Sequence, residues 1–369
     1  MVERGASRAS LCWTASTIAI VRRPFQPYVT DEAECNVVGW LFVYKRCDHM
    51  QSSSKFYRLY EATYQFACWI IDHAGPVAPI VVRLGQGTHK RFIPHSYYDA
   101  SLNPVQAGGL ILHHDQRESS SFARSIALGM YESDTKRLIE DLVKPGMTVL
   151  DVGANIGYFS LLAAKLVGRS GIIWTFEPVP HLVDIIGKNI RDNGYEERIH
   201  LVHVAVSNGV GTVKLHINDA VSAHSSLYAE ASAYLNAPAP TRREPIEVAS
   251  ISLDVWAAQE AWPRVDIVKM DVEGAEKLAL EGMEELCRKN PDLKLIVEFN
   301  YRTLQAAGTT PAQFFAALRA CSFDRIYMIE GQLQLLDVPA GISTLVDRMQ
   351  RDGSESVNLL CEQNNAARS

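Results

Sequence analysis

No two cysteines in this 369-residue sequence stand in C-x-x-C spacing, and the seven that occur (12, 35, 47, 68, 287, 321 and 361) are scattered and odd in number. That pattern excludes a disulfide framework, argues against a zinc site and fits a reduced, cytoplasmic setting. Basic charge is also in short supply: 36 Lys and Arg against 42 Asp and Glu leave a net charge of −6, so no global field draws the chain to nucleic acid. Long hydrophobic runs are missing. The longest, Leu11 to Val21 and Phe66 to Ile71, are too short to cross a bilayer. Arg4 and Arg8 precede the first of them, yet Arg22-Arg23 follow it without a small-x-small cleavage site, which argues against an export signal.

What is present is enough apolar material for a sizeable core, 47% of residues, over a length that suits two domains or one large domain with an extension. Residues 1 to 50 show no sustained periodicity and stay unassigned, with Met50 as an alternative start. Residues 51 to 125 predict an N-terminal α+β extension. It has a helix from Phe56 to Ile71 behind a serine cluster, then a small β-rich cap from Ile80 to Leu84, Arg91 to Pro94 and Leu110 to His113. His113 and His114 are adjacent, so on a strand they point to opposite faces, which favours structural roles over a shared metal.

From residue 126 to 345 the elements alternate. Strands are predicted at Thr148 to Leu150, Gly171 to Phe176, Ile199 to Val206, Asp266 to Met270 and Leu293 to Glu298. Helices fall at Ser133 to Val143, Gly157 to Leu166, Leu182 to Asn193, Ala275 to Arg288 and Thr310 to Ala320. Such alternation gives a doubly wound, mostly parallel α/β sheet. Arg325 to Ile329 and Gln332 to Leu336 read as a terminal antiparallel hairpin, and residues 346 to 369 as a polar, frayed tail. A strand at Thr212 to Ile217 and a Ser/Ala/Pro-rich loop interrupt the alternation up to Pro245.

Ligands of open α/β sheets lie beyond the carboxyl ends of the strands, where strand order reverses. That rule selects Asp151 with the glycine loop, Glu177, Ser207-Asn208, Asp271 and Glu298. The loop Asp151-Val-Gly-Ala-Asn-Ile-Gly157 is a strand, a tight turn and a helix start, where glycines let a ligand approach main-chain N–H groups. It lacks the third glycine of G-x-G-x-x-G, which counts against a nicotinamide-dependent oxidoreductase. Asp151 instead suits a cofactor carrying an ammonium group. Glu177, twenty positions beyond Gly157, can accept both hydroxyls of a ribose; the blander reading is a carboxylate that caps the next turn. Asp271, Glu273 and Glu276 sit at a helix start, where negative charge is favourable in itself. They permit a divalent ion, but no histidine joins them and no metal ligands are assigned.

Asp151 to Gly157, Phe176-Glu-Pro178, Ala205-Val-Ser207, Ile251-Ser-Leu-Asp254 and Lys269-Met-Asp-Val-Glu-Gly-Ala-Glu276 resemble, in order and spacing, the FkbM-type methyltransferases. The resemblance covers Gly129 to Asp337. It implies a seven-stranded Rossmann-like domain that binds S-adenosylmethionine and methylates hydroxyl oxygens of sugars, glycolipids, polysaccharides or polyketide-type products. By position, Asp151, Gly153, Asn155 and Gly157 would hold the methionine part, Glu177 the ribose, and Ala205, Val206 and Ser207 the adenine neighbourhood. Asp271 would face the reacting methyl. The acceptor must lose a proton, and Asp271, Glu298 and His224, in a serine loop after the third strand, are the candidate bases. A catalytically silent binding module on the same fold is the further alternative.

Overall fold

The computed structural model describes residues 103–115, 125–126, 129, 131–218, 224–233 and 244–364. The expected helix from Phe56 and the strands at Ile80 to Leu84 and Arg91 to Pro94 lie outside them. All described residues belong to one compact unit, His89–Ser369. It opens with a hairpin of β1 (Val105–Ala107) and β2 (Leu110–Leu112). Then come α1 (Ser133–Leu142), β3 (Thr148–Val152), α2 (Tyr158–Val167), β4 (Ile172–Phe176), α3 (Pro180–Asp192) and β5 (Ile199–Val202).

The chain next leaves the main sheet. A separate three-stranded sheet forms from β6 (Ala205–Val206), β7 (Gly211–Leu215) and β8 (Ile246–Ile251), with β8 in the middle and α4 (Ala229–Ala233) before it. The chain returns through α5 (Leu253–Gln259), β9 (Ile267–Met270), α6 (Glu276–Glu281), α7 (Glu284–Lys289), β10 (Lys294–Asn300), α8 (Tyr301–Ala306) and α9 (Pro311–Ala320). It ends with β11 (Phe323–Glu330), β12 (Gln332–Leu335), α10 (Gly341–Asp352) and β13 (Ser356–Gln363).

The main sheet is doubly wound and mostly parallel, as the sequence predicts, but has eight strands in the order β12-β11-β13-β10-β9-β3-β4-β5, not the seven that the resemblance implies. Alternation along the strands divides its core between two faces. Leu150 and Val152 join the cluster of Trp256, Leu286, Phe299 and Phe314, whereas Val149 joins that of Leu161, Ile186 and Ile190. The chain winds outward from β3 to β5 and then crosses back to β9 on the other side of β3, so the strand order reverses between β3 and β9.

Three expectations change. The tail is not frayed: β13 lies between β10 and β11, antiparallel to both, with Leu359, Leu360 and Cys361 buried. Its short apolar run is hidden between polar stretches, which is why it reads as tail. The helix from Ala275 to Arg288 is two helices. A Cβ at Gly282 would stand 2.3 Å from the Ser207 carbonyl oxygen, so the backbone turns where the loop after β6 presses in. The third strand also splits, β5 staying in the main sheet and β6 joining the small one.

The hairpin is clamped to α3. Asn193 exchanges two hydrogen bonds with the backbone of Ile111, at 2.9 and 2.7 Å, and Asn189 two with His113, at 2.6 and 3.0 Å. His113 Nε2 meets Asp192 at 2.6 Å and His114 Nδ1 the Asp115 carbonyl at 3.3 Å, both in structural roles.

Candidate cofactor cleft and acid cluster

The glycine loop after β3 supports itself. Gly153 and Ala154 N–H both donate to the Phe176 carbonyl, at 3.0 and 3.2 Å, and Gly157 N–H to Ala154 at 2.8 Å. Asn155 N–H donates to Glu177 Oε2 at 2.8 Å. The N–H groups of Gly153, Ala154, Asn155 and Gly157 are therefore engaged within the protein, and the turn also holds unpartnered oxygen. Asn155 sits in the left-handed region (φ 54°) with its Oδ1 buried and unpartnered, and Asp151 Oδ1 is likewise buried without a partner. Two unsatisfied buried acceptors so close in the chain mark a place for a donor group.

Asp151, 2% exposed, is steadied from the other side. Ser160 Oγ donates to its Oδ2 at 2.6 Å, and Thr175 Oγ1 donates to Ser160 at 2.8 Å. Burial pushes the Asp151 carboxyl above its ordinary range, and the Lys269 charge opposes that shift.

A cleft enclosing about 550 Å³ opens above the carboxyl ends of β3, β4 and β9. Gly153 and Asn155 form one wall, Glu177 to Val179 the next, and Ala205, Val206 and Leu215 an apolar end. Ser225 to Leu227, Asp271 and Glu273 complete it. Glu177 caps the following turn, accepting from Val179 N–H at 2.9 Å, and burial lifts its carboxyl to about 8. Each of its oxygens accepts one backbone N–H, which leaves a lone pair on each for a hydroxyl.

Asp271 is held by Lys269, Nζ to Oδ2 at 3.2 Å. Glu276 turns away to the turn ahead of its helix, accepting from Val272 and Gly274 N–H at 3.0 to 3.2 Å, and burial raises it to about 7. The acids that do converge are Asp271, Glu273 and Glu298, with one oxygen of each within 4.8 Å of the others. Burial, followed by mutual repulsion, pushes both Glu273 and Glu298 well above the carboxylate range. The serine loop is pinned over them, Ser226 Oγ donating to the Glu273 carbonyl at 2.6 Å. His224 Nδ1 is buried and unpartnered. Burial lowers this imidazole below its ordinary range, while the Asp271 charge acts in the opposite sense.

Comparison with known proteins accords with this geometry, since residues 151–325 match the model of the methyltransferase FkbM domain. Just under half of the chain is thus similar to that domain. A methyltransferase named sdnD from Sordaria araneosa is 28% identical over 158 residues, 37% of this chain and 60% of the relative. A protein-L-isoaspartate O-methyltransferase from Methanococcoides burtonii is 38% identical over 65 residues, 17% of this chain and 32% of the relative. The chain thus spans less than two thirds of either. An FkbM methyltransferase structure from Methylobacillus flagellatus aligns with TM-score 0.32 at 12% identity, covering 65% of this chain and 54% of that one. A SAM-dependent O-methyltransferase from Thermotoga maritima aligns with TM-score 0.35 at 14%, covering 63% and 66%.

Within the matched residues the cleft brings together Gly153, Asn155, Glu177, Ala205, Val206 and Asp271 of the predicted set. Asp151, Gly157, Ser207, His224 and Glu298 are not in its lining. Asp151 lies behind the wall. Gly157 opens α2 at φ 80°, and Ser207 is drawn onto β8 by its N–H to the Ile251 carbonyl at 2.9 Å. Sequence reading gave no role to Lys269, whose signal is a lone cation in the apolar run Ile267-Val-Lys-Met270. Nor did it single out Tyr131 and Glu132 ahead of α1; the charges of Asp271 and Glu298 reach Tyr131, and those of Lys269 and Asp271 reach Glu132.

Proposed function

We propose that the protein transfers the methyl group of S-adenosylmethionine to a hydroxyl oxygen of a sugar, glycolipid, polysaccharide or polyketide-type product. The observation that carries this reading is the pair of unpartnered buried oxygens, Asp151 Oδ1 and Asn155 Oδ1, beside a cleft with a ribose-competent Glu177 and an apolar end. The acceptors suit the ammonium of the donor's methionine part, with Gly153 and Gly157 shaping the turn. Ala205 and Val206, with Ser207 behind them, suit the adenine. Bound there, the sulfonium supplies an activated methyl and a good leaving group.

The chain's own task is alignment and proton removal. Asp271 stands at the cleft beside Glu273 and fixes the reacting end. His224, kept neutral by burial, can accept the hydroxyl proton at an imidazole nitrogen. A carboxylate acceptor, such as isoaspartate, would meet the like charge of Asp271 at the cleft, which favours an uncharged hydroxyl. The setting we infer is cytoplasmic, in keeping with the free buried thiols of Cys287, Cys321 and Cys361. Among the described residues no helix is long and apolar enough to cross a membrane.

Thermal shift tests the donor. Stabilisation by S-adenosylhomocysteine and not by NAD is expected, and the reverse would return the cleft to the nicotinamide reading. Labelled donor incubated with a native cell extract then identifies the acceptor. Tight donor binding with no labelled product from glycans or lipids would favour a silent binding module.

A further inference from the structure

Lys269 and Asp151 are register partners across the parallel strands β9 and β3, so their side chains rise from the same face of the sheet. Lys269 is 5% exposed, and its Nζ stands 4.9 Å from the centre of the Phe159 ring and 3.2 Å from Asp271 Oδ2. The charges that act on it are those of Asp271, Glu132 and Asp151. One buried cation thus stands between the acid assigned to the donor's ammonium and the acid assigned to its methyl. We infer that Lys269 is a positioning residue for both halves of the site, its single ammonium holding Asp271 in place and compensating Asp151 so that Asp151 Oδ1 stays open to the donor.

The physical argument is one of desolvation. The charge of the half-buried Asp271 acts on the buried Asp151, so holding both ionised calls for a counter-ion, and removing one partner of a buried group of charges leaves the others uncompensated. Ser160 supplies a hydrogen bond to Asp151 but no charge. The Lys269 charge acts on Asp151, Glu132 and Glu273 alike.

The inference rests on the donor-site reading, and the test separates the two. Calorimetry with S-adenosylhomocysteine is run on the full chain and on Lys269→Met, Lys269→Arg, Asp151→Asn and the Lys269→Met/Asp151→Asn double variant. Failure of the unaltered protein to bind would sink the donor site itself. Given binding, Lys269→Met is expected to lose affinity by about tenfold or more, the scale of a charge-assisted contact, and Lys269→Arg to recover most of it. Because Lys269 acts through Asp151, the double variant should bind no worse than Asp151→Asn alone. Independent losses that multiply in the double variant would overturn the inference, as would wild-type affinity in Lys269→Met. Should Lys269→Met not fold, the double variant, which removes both charges, and Lys269→Arg still decide: weak binding by Lys269→Arg, or a double variant weaker than Asp151→Asn, overturns it.

Discussion

The carbonyl oxygen of Asp271 occupies the space where a side chain on Gly153 would begin: a Cβ built there lies 1.8 Å from it. The first loop glycine is therefore required by the crossing of two strand ends, β3 and β9, whether or not a ligand approaches it. Gly153 also sits at φ 79°, which costs a residue with a side chain about 1–2 kcal/mol. Gly153→Ala should lose that amount together with an overpacking cost of about 1–3 kcal/mol, and should lower S-adenosylhomocysteine affinity by moving Asp271. Urea denaturation with calorimetry checks both. A variant of unchanged stability would mean that the loop and the Asp271 turn are not in contact.

Glu177 links the cleft to pH. Its carboxyl titrates near 8 in the folded chain against 4.5 ordinarily. Between those values the folded state holds the extra proton, so this group's stabilising contribution is complete below about pH 4.5 and is lost as pH rises towards 8. The melting temperature of the unliganded protein should fall across that window, and Glu177→Gln, which cannot ionise, should flatten the fall. An unaltered slope in the variant would show that Glu177 is ionised throughout.

Ending the chain at Asp352 removes β13 from between β10 and β11 and exposes two inner strand edges. Val357, Leu359 and Leu360 are each buried, and each contributes about 1.5–3 kcal/mol. The truncated protein should not fold, by soluble yield and circular dichroism. A soluble truncation with native ellipticity would restore the frayed-tail reading.

The contrast between β13 and β3 shows what was legible in the sequence. Thr148 to Leu150 reads as a strand because it lies between Gly146 and Gly153 and is followed by helical spacing, and the observed strand runs two residues further, to Val152, so local signals agree with the fold. Ser356 to Gln363 has no turn signal tying it to its neighbours, and its place is set by partners some sixty residues earlier, such as Lys294 opposite Glu362. In the site, Asp151, Glu177 and Asp271 could be found because each ends a strand. Lys269 could not, because its meaning comes from register: only pairing β9 with β3 sets it beside Asp151. The acid trio shows the same limit. Glu276 is near Asp271 in sequence but binds the turn ahead of its helix, while Glu298 arrives from the next strand.

The identity of the base follows from which groups are able to take a proton. Burial, then repulsion from Asp271, raises the Glu298 carboxyl well above the carboxylate range, which favours its protonated form more than in an ordinary carboxylate. Asp271 is engaged by Lys269. His224 is neutral, with a buried nitrogen that makes no other contact. His224→Ala should therefore slow methyl transfer by about 10²–10⁴-fold, the span of general-base catalysis, while leaving S-adenosylhomocysteine affinity within about twofold. Glu298→Gln, which mimics the protonated carboxyl, should retain transfer within a few-fold. Both are measured by label transferred from the donor to the acceptor in native extract, with calorimetry alongside. If Glu298→Gln lost as much as His224→Ala, the trio would have to hold an ionised Glu298, and the proton would leave through β10 instead of the serine loop.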